Sequence, residues 1–123
     1  MVHQAIEQLL RDTEWPGGDI MIIDMPPGTG DTQLSISQLC ELTGTVIVST
    51  PQDVALIDAV KAAKMFTKVE IDVLGIVENM SFFACPKCGE ETPIFSRYGA
   101  EETSKKIQSP FLGAIPIELE VRK

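Results

Sequence analysis

Ile20-Met21-Ile22-Ile23-Asp24-Met25-Pro26-Pro27-Gly28-Thr29-Gly30-Asp31 decides how this chain is read. Four apolar residues in a row are too few for a helix and suit a strand buried on both faces. Asp24 follows them. Pro26 and Pro27 then remove backbone donors and fix φ, so no regular element continues through them. Gly28 and Gly30 let the backbone turn and let a ligand come close to it. Asp31 is placed to cap a following helix. A buried strand that ends in a carboxylate and a glycine-rich turn is the geometry of a ligand site at the carboxyl edge of an α/β sheet. A plain strand–turn–helix with Asp24 as a turn residue is the alternative.

The same alternation runs outward on both sides. Upstream, residues 1–13 read as an amphipathic helix with Ile6, Leu9 and Leu10 on one face, broken at Trp15-Pro16-Gly17-Gly18. Downstream, Ile36, Leu39 and Cys40 have helical spacing, which predicts a helix over 31–42 stopped by Gly44. Thr45–Ser49 is a second buried strand. Thr50-Pro51-Gln52-Asp53 then reads as a helix start: Thr50 suits the N-cap, Pro51 the first helical position and Asp53 the capping-box acid. Leu56, Val60 and Ala63 form its buried stripe. A third strand over 73–77 runs into Glu78-Asn79. A short helix over 98–107 and a strand over 111–115, ended by Pro116, complete the chain.

Strands alternating with helices imply a parallel sheet with right-handed crossovers. The strand carboxyl ends then share one edge, and Asp24, Thr50, Asn79 and Pro116 are expected along it. An acid, a hydroxyl at a helix start and an amide on one rim suit a nucleotide.

Cys85-Pro86-Lys87-Cys88-Gly89 falls in the irregular stretch after the third strand. Two thiols separated by two residues in a turn can share one metal centre. A closed tetrahedral site or a cubane cluster needs four ligands, and His3 is far away in sequence, so the motif is half a site. A second chain with the same pair completes it under twofold symmetry. A thioredoxin-like redox pair and an inert loop are the other readings. Cys40, on the apolar side of its helix, reads as a small core residue.

Composition narrows the classes. With 123 residues the chain suits one domain, and 44% apolar content is enough for a core. A net charge of −8 excludes the basic stripe that a nucleic-acid surface requires. No apolar run approaches a membrane span and no signal-peptide pattern opens the chain, so membrane attachment is not expected. Three cysteines without an export signal point to the cytoplasm, where thiols stay reduced.

The string DMPPGTGD resembles the Walker B and switch segment of the Mrp/ApbC family, iron–sulfur carriers among the MinD/ParA-like P-loop NTPases. Further segments resemble the family in the right order: Trp15 before the strand, TVIVSTPQDVALIDAV from Thr45, GIVENMS from Gly75, the Cys85/Cys88 pair, and LGAIPIELEVR from Leu112. The resemblance implies part of a doubly wound, mainly parallel P-loop NTPase sheet with helices on both faces. It implies that Asp24 belongs to a Mg–water shell and that Gly28, Thr29, Gly30 and Asp31 form a γ-phosphate-sensing switch. It implies that Asn79 recognises adenine with Pro116 close to the base. It also implies that Cys85 and Cys88 carry a 4Fe–4S cluster between two subunits of a homodimer. The family binds ATP with Mg2+, hydrolyses it slowly and passes the cluster to apo iron–sulfur proteins.

The chain departs from the family in lacking a Gly-x-x-x-x-Gly-Lys-Ser/Thr or related lysine-bearing loop. It therefore reads as the middle and later part of one P-loop NTPase domain, with ATPase activity expected of a larger protein and not of this stretch. A MinD/ParA-like regulatory ATPase is an alternative function, although it has no need of the cysteine loop. A zinc-stapled dimerisation module is another. In the family a further strand lies between the one ending at Asp24 and Thr45–Ser49. Its absence predicts a slot about two strand spacings, roughly 10 Å, across, with unpaired apolar edges and an isolated chain that is poorly soluble or marginally folded.

Overall fold

A computed structural model describes residues 2–26, 30–96 and 99–118 of the chain. They fall into two compact units, Met1–Leu42 and Thr43–Lys123. No helix among them is long and apolar enough to cross a membrane.

The first unit holds two helices. Helix α1 spans Val2–Arg11 and carries an exposed Glu7–Arg11 ion pair at 3.0 Å, one turn apart. The Trp15 indole N–H donates to the Leu9 carbonyl at 3.2 Å, which gives a partner to one of the carbonyls a helix end leaves open. On the expected apolar face, Ile6 and Leu10 are half-buried, but Leu9 is exposed. Helix α2 spans Asp31–Leu39 and ends before its expected stop at Gly44; Cys40 caps it, with its N–H on the Ile36 carbonyl at 3.0 Å. Cys40 is thus half-buried just past the helix, not on its face.

The strand expected over 20–23 is not formed. Ile20 is 85% and Ile22 91% exposed, and the segment enters no ladder. A run of apolar residues becomes a strand only when neighbours on either side take its N–H and C=O groups. No described residue does so here.

The second unit is a three-stranded parallel sheet with two helices. Strand β1 is Thr45–Ser49, helix α3 Asp53–Lys68 and strand β2 Val73–Glu78. A two-stranded hairpin follows, β3 Phe83–Ala84 and β4 Glu91–Thr92, then helix α4 Gly99–Lys106 and strand β5 Phe111–Ala114. The sheet order is β1-β2-β5. Ile47 lies opposite Ile76, and Ile76 opposite Phe111. On that face Ile47, Ile76, Ala59, Ala63 and Ala100 form the core, with Leu56, Val73, Ile107 and Phe111 packed around them. The alanines of α3 and α4 let both helices lie close to the strands. The buried stripe of α3 is Ala59, Ala63 and Phe66, so Leu56 and Val60 of the expected stripe are only half-buried.

Strand β1 was expected to be buried on both faces. Its residues instead alternate, with Ile47 and Ser49 buried and Val46 and Val48 46% and 63% exposed. Leu74 and Leu112, also about half exposed, accompany them. Both α3 and α4 pack on the other side, so this face is apolar and open. Gly44, expected as a helix stop, serves close packing, since a Cβ there would sit 2.5 Å from the Leu74 side chain.

Thr50 does not cap α3. The helix begins at Asp53 with Gln52 at the N-cap in extended conformation and no side-chain cap bond. The reason is tertiary: Pro51 is fully buried, and its carbonyl accepts the Ser96 hydroxyl at 2.9 Å. The first helical bond therefore runs from the Leu56 N–H to the Gln52 carbonyl at 3.1 Å.

Candidate functional site

Parallel pairing brings the carboxyl ends of β1, β2 and β5 to one edge, as expected, and three of the four rim residues follow it. Thr50 follows β1. Asn79 follows β2, and its N–H donates to the Ser49 carbonyl at 2.7 Å. Pro116 follows β5, where the Ile115 N–H donates to the Glu78 carbonyl at 2.8 Å. The Asn79 side-chain oxygen already accepts the Met80 N–H at 2.9 Å. What Asn79 offers a ligand is therefore chiefly its NH2, a donor pair suited to ring nitrogens of a base. A groove of about 440 Å³ runs along the start of α3, lined by Pro51, Gln52, Asp53, Val54, Phe95 and Ser96.

The residues of the opening motif lie in the first unit. Asp24 is exposed on the irregular stretch that replaces the expected strand. Gly28 and Thr29 lie outside the described residues. Gly30 is the N-cap residue of α2, and Asp31 is its first residue. The cap position expected of Asp31 thus falls to Gly30, and Asp31 places its charge in the first turn, at the positive helix start. Sequence reasoning missed Gln33, which is 3% exposed and donates from Nε2 to the Pro26 carbonyl at 2.7 Å. That bond folds the Pro26 end of the motif back over the first turn of α2. Its only sequence signal is a polar residue at an inward helical position.

The cysteine loop is a tight knuckle at the tip of the β3–β4 hairpin. The Cys85 N–H donates to the Glu90 carbonyl at 3.0 Å, and the Gly89 N–H to the Cys85 carbonyl at 2.8 Å. Gly89 supplies the left-handed φ of 73° that closes the turn. The backbone N–H groups of Cys88 and Lys87, and the Cys88 side chain, point at the Cys85 sulfur and hold its thiol below the usual cysteine range. Cys85 is half-buried and Cys88 exposed, and both are free thiols. Among the described residues no group of three or more His, Cys, Asp or Glu could hold a metal ion. The knuckle presents two soft donors, two short of a closed tetrahedral shell.

Parallel α/β topology, with a polar rim at the strand carboxyl ends and a two-thiol knuckle beyond it, defines an α/β protein. Comparison with known proteins agrees. A solved structure, the nucleotide-binding protein from Archaeoglobus fulgidus in complex with ADP and with Co, superposes with a TM-score of 0.86 at 40% identity, over 98% of this chain and 50% of that one. All of residues 1–123 match the ParA family described as NUBPL iron-transfer P-loop NTPase, and the chain belongs to that family. Among its relatives, the iron–sulfur cluster transfer protein NUBPL of Dictyostelium discoideum is 54% identical, and the iron–sulfur cluster carrier protein of Escherichia coli K12 is 50% identical. The mitochondrial iron–sulfur protein required for NADH dehydrogenase of Arabidopsis thaliana is also 50% identical. Each match covers the whole of this chain, which spans 38%, 33% and 39% of those three relatives.

Proposed function

We propose that this chain is the part of an iron–sulfur cluster carrier that runs from the switch segment through the cysteine knuckle, within a single P-loop NTPase domain. The observation that carries the reading is the knuckle itself. Backbone N–H groups on the Cys85 sulfur favour the thiolate that a cluster needs, and two thiolates are half of a cubane's ligands. A second copy supplies the other two, so the 4Fe–4S cargo sits between subunits of a homodimer. The names of relatives at about half identity support iron–sulfur cargo, and the ADP complex of the structural neighbour supports the nucleotide.

In this reading the exposed Cys88 is where a thiolate of an apo iron–sulfur protein enters to displace a cluster ligand. Asn79 and Pro116 receive the adenine of ATP. Asp24 holds a water of the Mg2+ shell, and Gly28, Thr29, Gly30 and Asp31 sense the γ-phosphate. A labile cluster requires a compartment that keeps thiols reduced, which the cytoplasm provides.

Anaerobic reconstitution with iron and sulfide tests the proposal. The expected product has a broad visible absorption and about four irons per dimer. Cys85→Ala and Cys88→Ala abolish it, whereas Cys40→Ala does not. Tight stoichiometric zinc that iron cannot displace would overturn the carrier reading in favour of a zinc-stapled dimer.

A further inference from the structure

Glu78 ends β2 with 1% of its surface exposed. None of the ion pairs among the described residues includes it. One carboxylate oxygen accepts the Ser81 hydroxyl at 2.5 Å, and the other accepts the Ala100 N–H at 2.8 Å, in the first turn of α4. Those two bonds give both carboxyl oxygens a partner and so offset the cost of burying a polar group. An apolar side chain would fill the same space without that cost, so the carboxylate is kept for what it holds.

What it holds is the root of the cysteine hairpin. The ladder between β2 and β5 does not stop at their ends. The Ser81 N–H donates to the Ile115 carbonyl at 3.0 Å, the Ile117 N–H to the Phe82 carbonyl at 2.7 Å, and Phe83 bridges Ile117. Backbone pairing thus runs from the sheet edge into the knuckle, interrupted only at Asn79-Met80. There Met80 takes a left-handed φ of 56°. The Glu78 carboxylate spans this interruption and grips Ser81 on its far side.

We propose that Glu78 is a positioning residue for the cysteine knuckle: it bridges the bulge at Asn79-Met80 and fixes the hairpin root to the nucleotide rim and to α4. The inference deepens the carrier reading and rests on it only for the identity of the metal cargo. Removing the carboxylate leaves the hairpin root held only by its backbone bonds to Ile115 and Ile117, which loosens it while the β1–β2 ladder stays intact.

The test uses the full chain, with hydrogen exchange resolved along the backbone and Co2+ alone as the metal probe. Ser81→Ala deletes one bond to Glu78 and keeps the Ala100 bond; Glu78→Ala deletes both. Each is expected to raise exchange over residues 81–92 about tenfold relative to residues 45–49, and to weaken Co2+ binding about tenfold. Thr67→Ala, which deletes a 2.9 Å hydroxyl bond to the Ala63 carbonyl at the exposed far end of α3, serves as the control and is expected to leave the exchange ratio and the Co2+ affinity unchanged. Unchanged exchange over 81–92 in Ser81→Ala, or an equal rise in Thr67→Ala, would overturn the proposal. Should the unsubstituted chain bind no Co2+, the carrier reading fails while exchange still decides the role of Glu78. If Glu78→Ala does not fold, Ser81→Ala decides it alone.

Discussion

Gly75→Ala is the sharpest probe of how the rim is built. Gly75 lies opposite Val46 in β2, where both its φ of 159°, a conformation side chains rarely adopt, and the lack of space restrict the site. A Cβ there would fall 2.5 Å from the Leu112 side chain and 2.7 Å from the Pro110 carbonyl oxygen. Leu112 is half exposed and can swing away. The Pro110 carbonyl cannot, because it accepts the Ile76 N–H at 2.9 Å. Relieving the clash to ordinary contact moves β5 away by about 0.7 Å, which stretches that bond beyond useful length. Overpacking costs about 1–3 kcal/mol and the lost bond about 1 kcal/mol, about 2–4 kcal/mol together. Gly113→Ala is the comparison: nothing lies within 4 Å of its Cβ, but its φ of 148° strains an alanine. That substitution is expected to cost about 1 kcal/mol through the backbone alone. Urea titrations followed by far-UV circular dichroism, in sulfate to hold the chain folded, compare the two. A Gly75→Ala midpoint at or above that of Gly113→Ala refutes the packing argument.

Three further outcomes are expected. The folded knuckle favours the Cys85 thiolate, so its contribution to stability is full above the unfolded thiol pKa and is lost as pH falls through the lower folded value. Iodoacetamide should accordingly label Cys85 at lower pH in the folded chain than in urea, and coincident profiles would count against the knuckle. The chain alone should show no ATP turnover, because its sequence has no lysine-bearing phosphate loop; phosphate release that Asp24→Asn abolishes would contradict this. The open apolar face carrying Val46, Val48, Leu74 and Leu112 should make the isolated chain bind hydrophobic dyes and unfold without a sharp thermal transition. A cooperative calorimetric peak would sink that expectation.

Local signals carried much of the fold. Thr45–Ser49 was legible to the residue, because a β-branched run between a glycine and a Thr-Pro pair leaves little choice. The knuckle was legible because cysteine spacing and a following glycine are purely local. The failures are all non-local. Ile20 to Ile23 have strand composition, yet a strand exists only through neighbours, and the run cannot show that they are missing. Thr50 looked like a cap because nothing in its vicinity reveals Ser96 holding Pro51. Glu78 stood in plain view beside Asn79, but its grip on Ala100 depends on a helix that the chain reaches much later.

The hairpin that carries the knuckle has a consequence in time. Phe83 meets Thr92 by closing a short loop, whereas Ile76 must wait for Phe111 and Ile47 for Ile76. Short hairpins close within microseconds, and long parallel pairings are slower. On a growing chain, Cys85 and Cys88 are therefore presented as a pair before Ile115 and Ile117 have been made to brace them. Metal captured at that moment would find the thiols before the sheet does, and the order of synthesis makes the newborn hairpin the most vulnerable state of the site to oxidation.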